Sequence, residues 1–139
     1  MNGVAFVDSN ILIYAHDRDA GSRRDRARSI CEQLWQERSG CLSVQVLEEF
    51  YVTVTRKLRT PVARAQAREL VRAYGSWVVS PTTAETVLRA TELSEATEIA
   101  FWDALIVAAA EQSGAETLYS EDLNDGQVIA GVRVVNPLR

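Results

Sequence analysis

The sequence predicts an α/β fold, a mostly parallel sheet covered by helices. Short apolar runs rich in Val, Ile, Phe and Tyr alternate with longer stretches of helical period. No two strand candidates follow one another across a tight turn, so hairpins are not expected. With 139 residues, 47% hydrophobic and 24% charged, the chain can bury a substantial core, and one domain over residues 1–139 is expected.

The elements follow in order. Residues 4–8, VAFVD, read as a short buried strand, and NILIYA as a helical turn or two. The charged loop HDRDAGSRR leads into an amphipathic helix over about 22–38, ended by Gly40. CLSV (41–44) reads as a strand and 44–58 as a helix. Thr60-Pro61 then restarts a helix to about Tyr74, Thr as the cap and Pro in the first helical position. WVVS (77–80) reads as a strand broken by Pro81. Helices over about 83–96 and 99–113 come next, the second stopped by Gly114. ETLYS (116–120) and VRVVN (132–136) are the last strands, split by the polar loop EDLNDGQ.

Composition excludes several function classes. A net charge of −4 and a pI of about 5.0 give no general attraction for a polyanion. The longest purely apolar stretch, Ala104 to Ala110, is too short to span a bilayer, and no export signal is visible, so a cytoplasmic location is expected. Cys31 and Cys41 lack the spacing of a zinc site or a disulfide framework and read as small buried side chains in a reducing compartment.

Four acids carry the chemistry. Asp8 ends the first strand and Asp122 lies just past another, and parallel sheets form ligand sites beyond the carboxyl ends of their strands. Asp8 taken alone is equally well read as a helix N-cap, and Asp122, beside Glu121 and Asp125, as a turn residue. Asp103 sits in FWDALIVAAA, a helix apolar on nearly every side. Desolvating an unpaired carboxylate costs several kcal/mol, so Asp103 is read as facing an ion or a water-filled cleft rather than only the helix dipole. On the helical wheel of 44–58, Glu49 leaves the apolar stripe of Leu47, Tyr51, Val54 and Leu58 and shares a face with Gln45, Thr53 and Arg56. Periodicity prefers it to Glu48; a solvated acid–base pair along that face explains the same pattern.

Summed, the acids make a physical case. At about 4 Å two like charges repel by roughly 4 kcal/mol at an effective dielectric of 20. Converging carboxylates therefore call for a divalent cation or for protonation. Oxygen ligands without Cys or His select Mg²⁺ or Mn²⁺, and such a cation suits phosphate substrates. It also reconciles an acidic chain with a polyanionic substrate.

The motifs VAFVDSNILIYAHD, LSVQVLEEFYVTVTRK (42–57) and EIAFWDALIVAAAEQSGAETLYSEDL (98–123) together resemble PIN-domain proteins, most closely the toxin components of VapBC toxin–antitoxin pairs. The resemblance covers essentially the whole chain. It implies a three-layer α/β/α sandwich and a Mg²⁺-dependent endoribonuclease, with Mn²⁺ able to substitute. It places the family's catalytic and metal-holding acids on Asp8, Glu49, Asp103 and Asp122. Asn10 and Ser120 then brace the site, with Asp125 as a further accessory. It also implies a homodimer and a VapB-type antitoxin as partner. Arg18, Arg23, Arg24, Arg56 and Lys57 are candidate RNA contacts, each of which is equally readable as a solvated charge. His16, the only His, is expected to be exposed in its polar loop and not to serve as a base.

Two rival functions fit parts of the pattern. A non-catalytic RNA- or protein-binding module would keep its function after Asp8→Asn. A phosphatase using Asp8 as nucleophile would want an acid where this chain has Asn10, and a supporting Lys, whereas Lys57 is the only Lys.

Overall fold

The computed structural model describes residues 3–139. The described elements are β1 (Ala5–Val7), α1 (Ser9–Ala15), α2 (Ser22–Glu37), β2 (Gly40–Cys41), α3 (Val44–Arg56), α4 (Arg64–Tyr74), α5 (Ala84–Thr97), α6 (Phe101–Gln112), β3 (Thr117–Tyr119), β4 (Val128–Ile129) and β5 (Val132–Val135). A short 3₁₀ turn, Gly75–Trp77, follows α4. The strands form one sheet in the order β2-β1-β3-β5-β4, parallel except where β4 meets β5. Helices α1 to α4 pack on one another and α5 on α6, with α6 lying on β3 and β5. This is the mostly parallel sheet within an α/β/α sandwich that the sequence predicts.

Strand β1 is buried along its whole length, which fits its central place in the sheet. Helix α6 is buried from Ala104 through Ala110, and the small alanines let it lie close against the strands. Helix α3 buries Val46, Phe50 and Val54 in a single stripe. Burying each such side chain contributes roughly 1.5–3 kcal/mol. Cys31 and Cys41 are buried free thiols, both pushed up to about 12 chiefly by that burial, and so are inert. No helix among the described residues is long and apolar enough to cross a membrane.

Four local readings are corrected. Helix α4 starts at Arg64, not Pro61, because the Thr60 hydroxyl donates to Asp19 Oδ2 at 2.7 Å and does not cap a helix. WVVS is not a strand: Trp77 closes the 3₁₀ turn and only Val78 bridges, to Leu42. Gly40 does not stop α2; Arg38 takes the left-handed conformation there (φ 54°) and Gly40 enters β2. Finally, β4 and β5 form an antiparallel hairpin that the sequence reading excludes, turning through Ala130 (φ 52°) and Gly131 (φ 79°). Both turn residues have positive φ, as the tightest hairpins require, but Ala-Gly lacks the usual Asn-Gly signature.

Gly40 is fixed by a close approach. A Cβ there would meet the Trp77 ring at 2.8 Å, and Trp77 is itself held between Trp35 (4.8 Å between centroids) and Tyr74 (5.3 Å). The ring has nowhere to retreat. Gly40→Ala is therefore expected to destabilise the fold by about 1–3 kcal/mol in urea denaturation. Gly75→Ala, at a helical φ of −55° with open space around it, is expected to be neutral or slightly stabilising. Equal effects for the two would refute this account of Gly40.

Candidate active site

The register of β1 with β3 pairs Val7 with Tyr119, so the chains leave the sheet side by side as Asp8 and Ser120. Asp8 N–H continues the ladder to Tyr119 O at 3.0 Å, and Ser120 N–H does so to Val135 O at 3.1 Å. Both side chains are buried. Ser120 Oγ donates to Asp8 Oδ2 at 2.8 Å. The other oxygen, Asp8 Oδ1, accepts from Ser9 N–H at 2.7 Å and caps α1. The capping and the site readings of Asp8 are thus both true, one for each oxygen.

Asn10, on the first turn of α1, crosslinks the group. Its Nδ2 donates to Asp122 Oδ2 at 2.9 Å and lies 3.4 Å from both Asp8 Oδ2 and Ser120 Oγ. Its Oδ1 accepts from Glu121 N–H at 3.4 Å, while Asp122 N–H donates to Ser120 Oγ at 3.1 Å. Asp122 itself is exposed.

Glu49 and Asp103 arrive from α3 and α6. Burial raises the Glu49 carboxyl above its usual range; Ser9 and Gln45 partly offset this, and the charges of Asp122 and Asp103 add to it. Asp103, half-buried in the first turn of α6, is raised by burial and then by Asp122. Asp8 is pushed up to about 6, first by burial; hydrogen bonds from Ser120 and Ser9 oppose the rise, and the charges of Asp122 and Glu49 add to it. The four acids thus act on one another electrostatically from four separate elements. Among the described residues no group of three or more Asp, Glu, His or Cys side chains stands close enough to hold an ion as the side chains are placed. The donor set is all oxygen, which fits a hard dication and not zinc.

The remaining candidates separate. Asp125 Oδ1 accepts from Asn136 N–H at 2.9 Å and fastens the loop to the end of β5. Arg23 lies 5.7 Å over the Tyr14 ring, and Tyr14 donates to Glu121 Oε1 at 2.8 Å. Lys57 shares a groove with Ser9, Glu49 and Thr53, a place the sequence reading gave to Arg56. Arg18 and Arg24 line a different pocket, beside His16. His16 is half-buried, not exposed: it packs on Phe50 and Tyr74, and its Nε2 lies 2.9 Å from the Tyr74 hydroxyl. Burial, then Arg28 and Arg24, lower its pKa to about 4. The sequence reading missed Ser9, Tyr14 and Trp102. Trp102 is 65% exposed beside Asp103, and that exposure is the one signal periodicity could have supplied, since it falls off the buried face of α6.

A parallel sheet with interlinked acids and amides beyond its strand ends is the class of α/β protein that binds ligands at that edge. Within that class, the chain belongs to the PIN domain family, which it matches over residues 5–125; PIN domains are generally nucleases. Among solved structures, a toxin–antitoxin complex from Klebsiella pneumoniae is similar, with a TM-score of 0.67 and 23% identity over 96% of this chain and 97% of that one. VapBC2 from Rickettsia felis, bound to a DNA fragment from their promoter, gives a TM-score of 0.61 and 19% identity over 94% and 96%. These likenesses are likenesses of fold. No curated protein matches the chain.

The raised carboxyl of Asp8 makes stability depend on pH. Unfolded, the group titrates near 3.8; folded, it titrates near about 6. Below 3.8 it is protonated in both states and costs nothing. As pH rises through about 6, the fold must carry a buried charge and loses stability, by about 3 kcal/mol at most. With chelator present, Asp8→Asn is therefore expected to raise Tm at pH 8 and to leave it nearly unchanged at pH 4. A Tm difference independent of pH would refute this.

Proposed function

We propose that this chain is a VapC-type toxin, an endoribonuclease that hydrolyses RNA phosphodiester bonds with Mg²⁺ or Mn²⁺ and is held in check by a VapB-type antitoxin. The single observation that carries the reading is the linked set Asp8, Ser120, Asn10 and Asp122, on which Glu49 bears electrostatically, with Asp103 coupled through Asp122 and Glu49. The likeness to toxin–antitoxin structures adds to it.

Asp8, Glu49, Asp103 and Asp122 are the residues assigned to hold the cation. A dication bound there supplies charge neutralisation at the phosphate and activates water for in-line attack. The chain's own part is orientation. Ser120 holds Asp8 Oδ2 by a hydrogen bond, and Asn10 spans Asp8 and Asp122 so that neither carboxylate swings away. Asp125 anchors the loop that carries Asp122. His16 has no role in catalysis on this reading: it lies at the far end of α1, about 10 Å along the helix from Ser9.

The homodimer is assigned to the groove of α3 and α4. Leu47, Tyr51 and Val71 line it, and Val44 and Val52 are 46% and 42% exposed there, an apolar surface that a second copy would cover.

Incubation of the purified protein with total RNA tests the reading. Cleavage is expected with Mg²⁺ or Mn²⁺ and is expected to stop with chelator. Asp8→Asn and Asp103→Asn, both folded by circular dichroism, are each expected to lose about a hundredfold or more in rate. Undiminished cleavage by either variant, or by chelated enzyme, would sink the assignment.

A further inference from the structure

The far end of α1 carries a pocket of about 610 Å³ whose chemistry is opposite to that of the acid site. Arg18, Arg24 and Arg28 line it, together with Thr60 and Gln66, and no acid is among its walls. Arg24 and Arg28 stand four residues apart on α2, a like-charged spacing that is mildly destabilising for the helix alone. None of the three guanidinium groups is neutralised: the ion pairs among the described residues are Arg72 with Glu69 and Arg89 with Glu111. Of the acids in the adjoining loop, Asp19 is engaged by the Thr60 hydroxyl at 2.7 Å, and Asp17 accepts from Asp19 N–H at 3.0 Å. Arginines with no acid opposite, in a concave site with apolar Pro61 and Leu70 beside them, suit a phosphate bearing an apolar group.

A path joins this pocket to the acids. Ser9, Ile13 and His16 lie on one stripe of α1, at spacings of four and three. Ser9 and Ile13 border the groove that also holds Glu49, Thr53 and Lys57 of the α3 side. His16 borders the arginine pocket, and so does the chain after α3, from Thr60. The seam of α1 and α3 thus has Glu49 and Lys57 in the groove at one end of α1 and the arginines in the pocket at the other, about 10 Å apart along the helix.

We propose that this seam is the track of the single-stranded RNA substrate, and that Arg18, Arg24 and Arg28 hold the phosphate of a nucleotide remote from the cut. The inference rests on the ribonuclease reading and adds to it where the strand lies. It makes the arginines binding residues for long substrates alone, because a short one cannot reach them.

Kinetics with two substrates test it, using Arg24→Gln/Arg28→Gln and, separately, Arg18→Gln; Arg18 and Arg28 are exposed and Arg24 is half-buried, and folding is checked by thermal melts. For a long single-stranded oligoribonucleotide, KM is expected to rise about tenfold or more in the double variant with kcat unchanged. Trinucleotide cleavage is expected to be unaltered. The salt dependence of long-RNA binding to Asp8→Asn protein, measured by anisotropy, should lose about 0.7 in log–log slope for each phosphate contact removed. If the wild type cleaves RNA and the variants match it on both substrates, the track is overturned and the ribonuclease reading stands. If the variants lose affinity for an oligoglutamate peptide but not for RNA, the pocket takes a polypeptide and the proposal is again overturned. If the wild type cleaves no RNA under Mg²⁺ or Mn²⁺, both fall together.

Discussion

Negative charge gathered beyond the carboxyl ends of parallel strands is the constraint on which the rest of this molecule depends. It begins with register. Because Val7 pairs with Tyr119, the next residues, Asp8 and Ser120, emerge together and share a hydrogen bond of 2.8 Å. A slip of one residue would turn Asp8 toward the other face of the sheet and break that bond. The buried apolar strands fix the register, and the register then fixes the acid. The cost of holding a carboxylate there is visible in the raised pKa of Asp8, Glu49 and Asp103.

The same short helix serves both ends of the proposed chemistry. Asp8 caps the start of α1, where the helix dipole favours negative charge, and His16 closes its end beside three arginines. An overall charge of −4 hides this separation, since it sums an acidic cleft and a basic pocket that lie a helix length apart. Net charge therefore argues weakly against a polyanionic substrate, whereas the local distribution argues for one.

Much of the fold was legible because burial leaves a strong trace in sequence. The run Ala104 to Ala110 announces a buried helix, and β1 announces a buried strand, without any knowledge of partners. The acids at strand ends and Glu49 on its wheel were legible for the same reason: they interrupt apolar patterns. What failed were elements decided by a single tertiary contact. Thr60 is drawn to Asp19 across 41 positions of chain, so Thr60-Pro61 begins no helix. The hairpin of β4 and β5 is stabilised by pairing, not by its turn residues, and Ala130 accepts a left-handed conformation to close it. His16 looked exposed amid charged neighbours, yet Phe50 and Tyr74 cover it from distant helices. Asn10 and Ser120 entered through the family resemblance and not through any pattern of their own, and nothing in the sequence hints that Arg28 joins Arg18 and Arg24 in one pocket, because that depends on how α2 lies beside the end of α1.

The central claim is that Asp8, Glu49, Asp103 and Asp122 form one cation site. Crystals soaked in Mn²⁺ and measured at the manganese absorption edge test it most directly. The account predicts an anomalous peak bounded by those carboxylates, lost in Asp8→Asn crystals. A peak elsewhere, or none at saturating Mn²⁺, would contradict it.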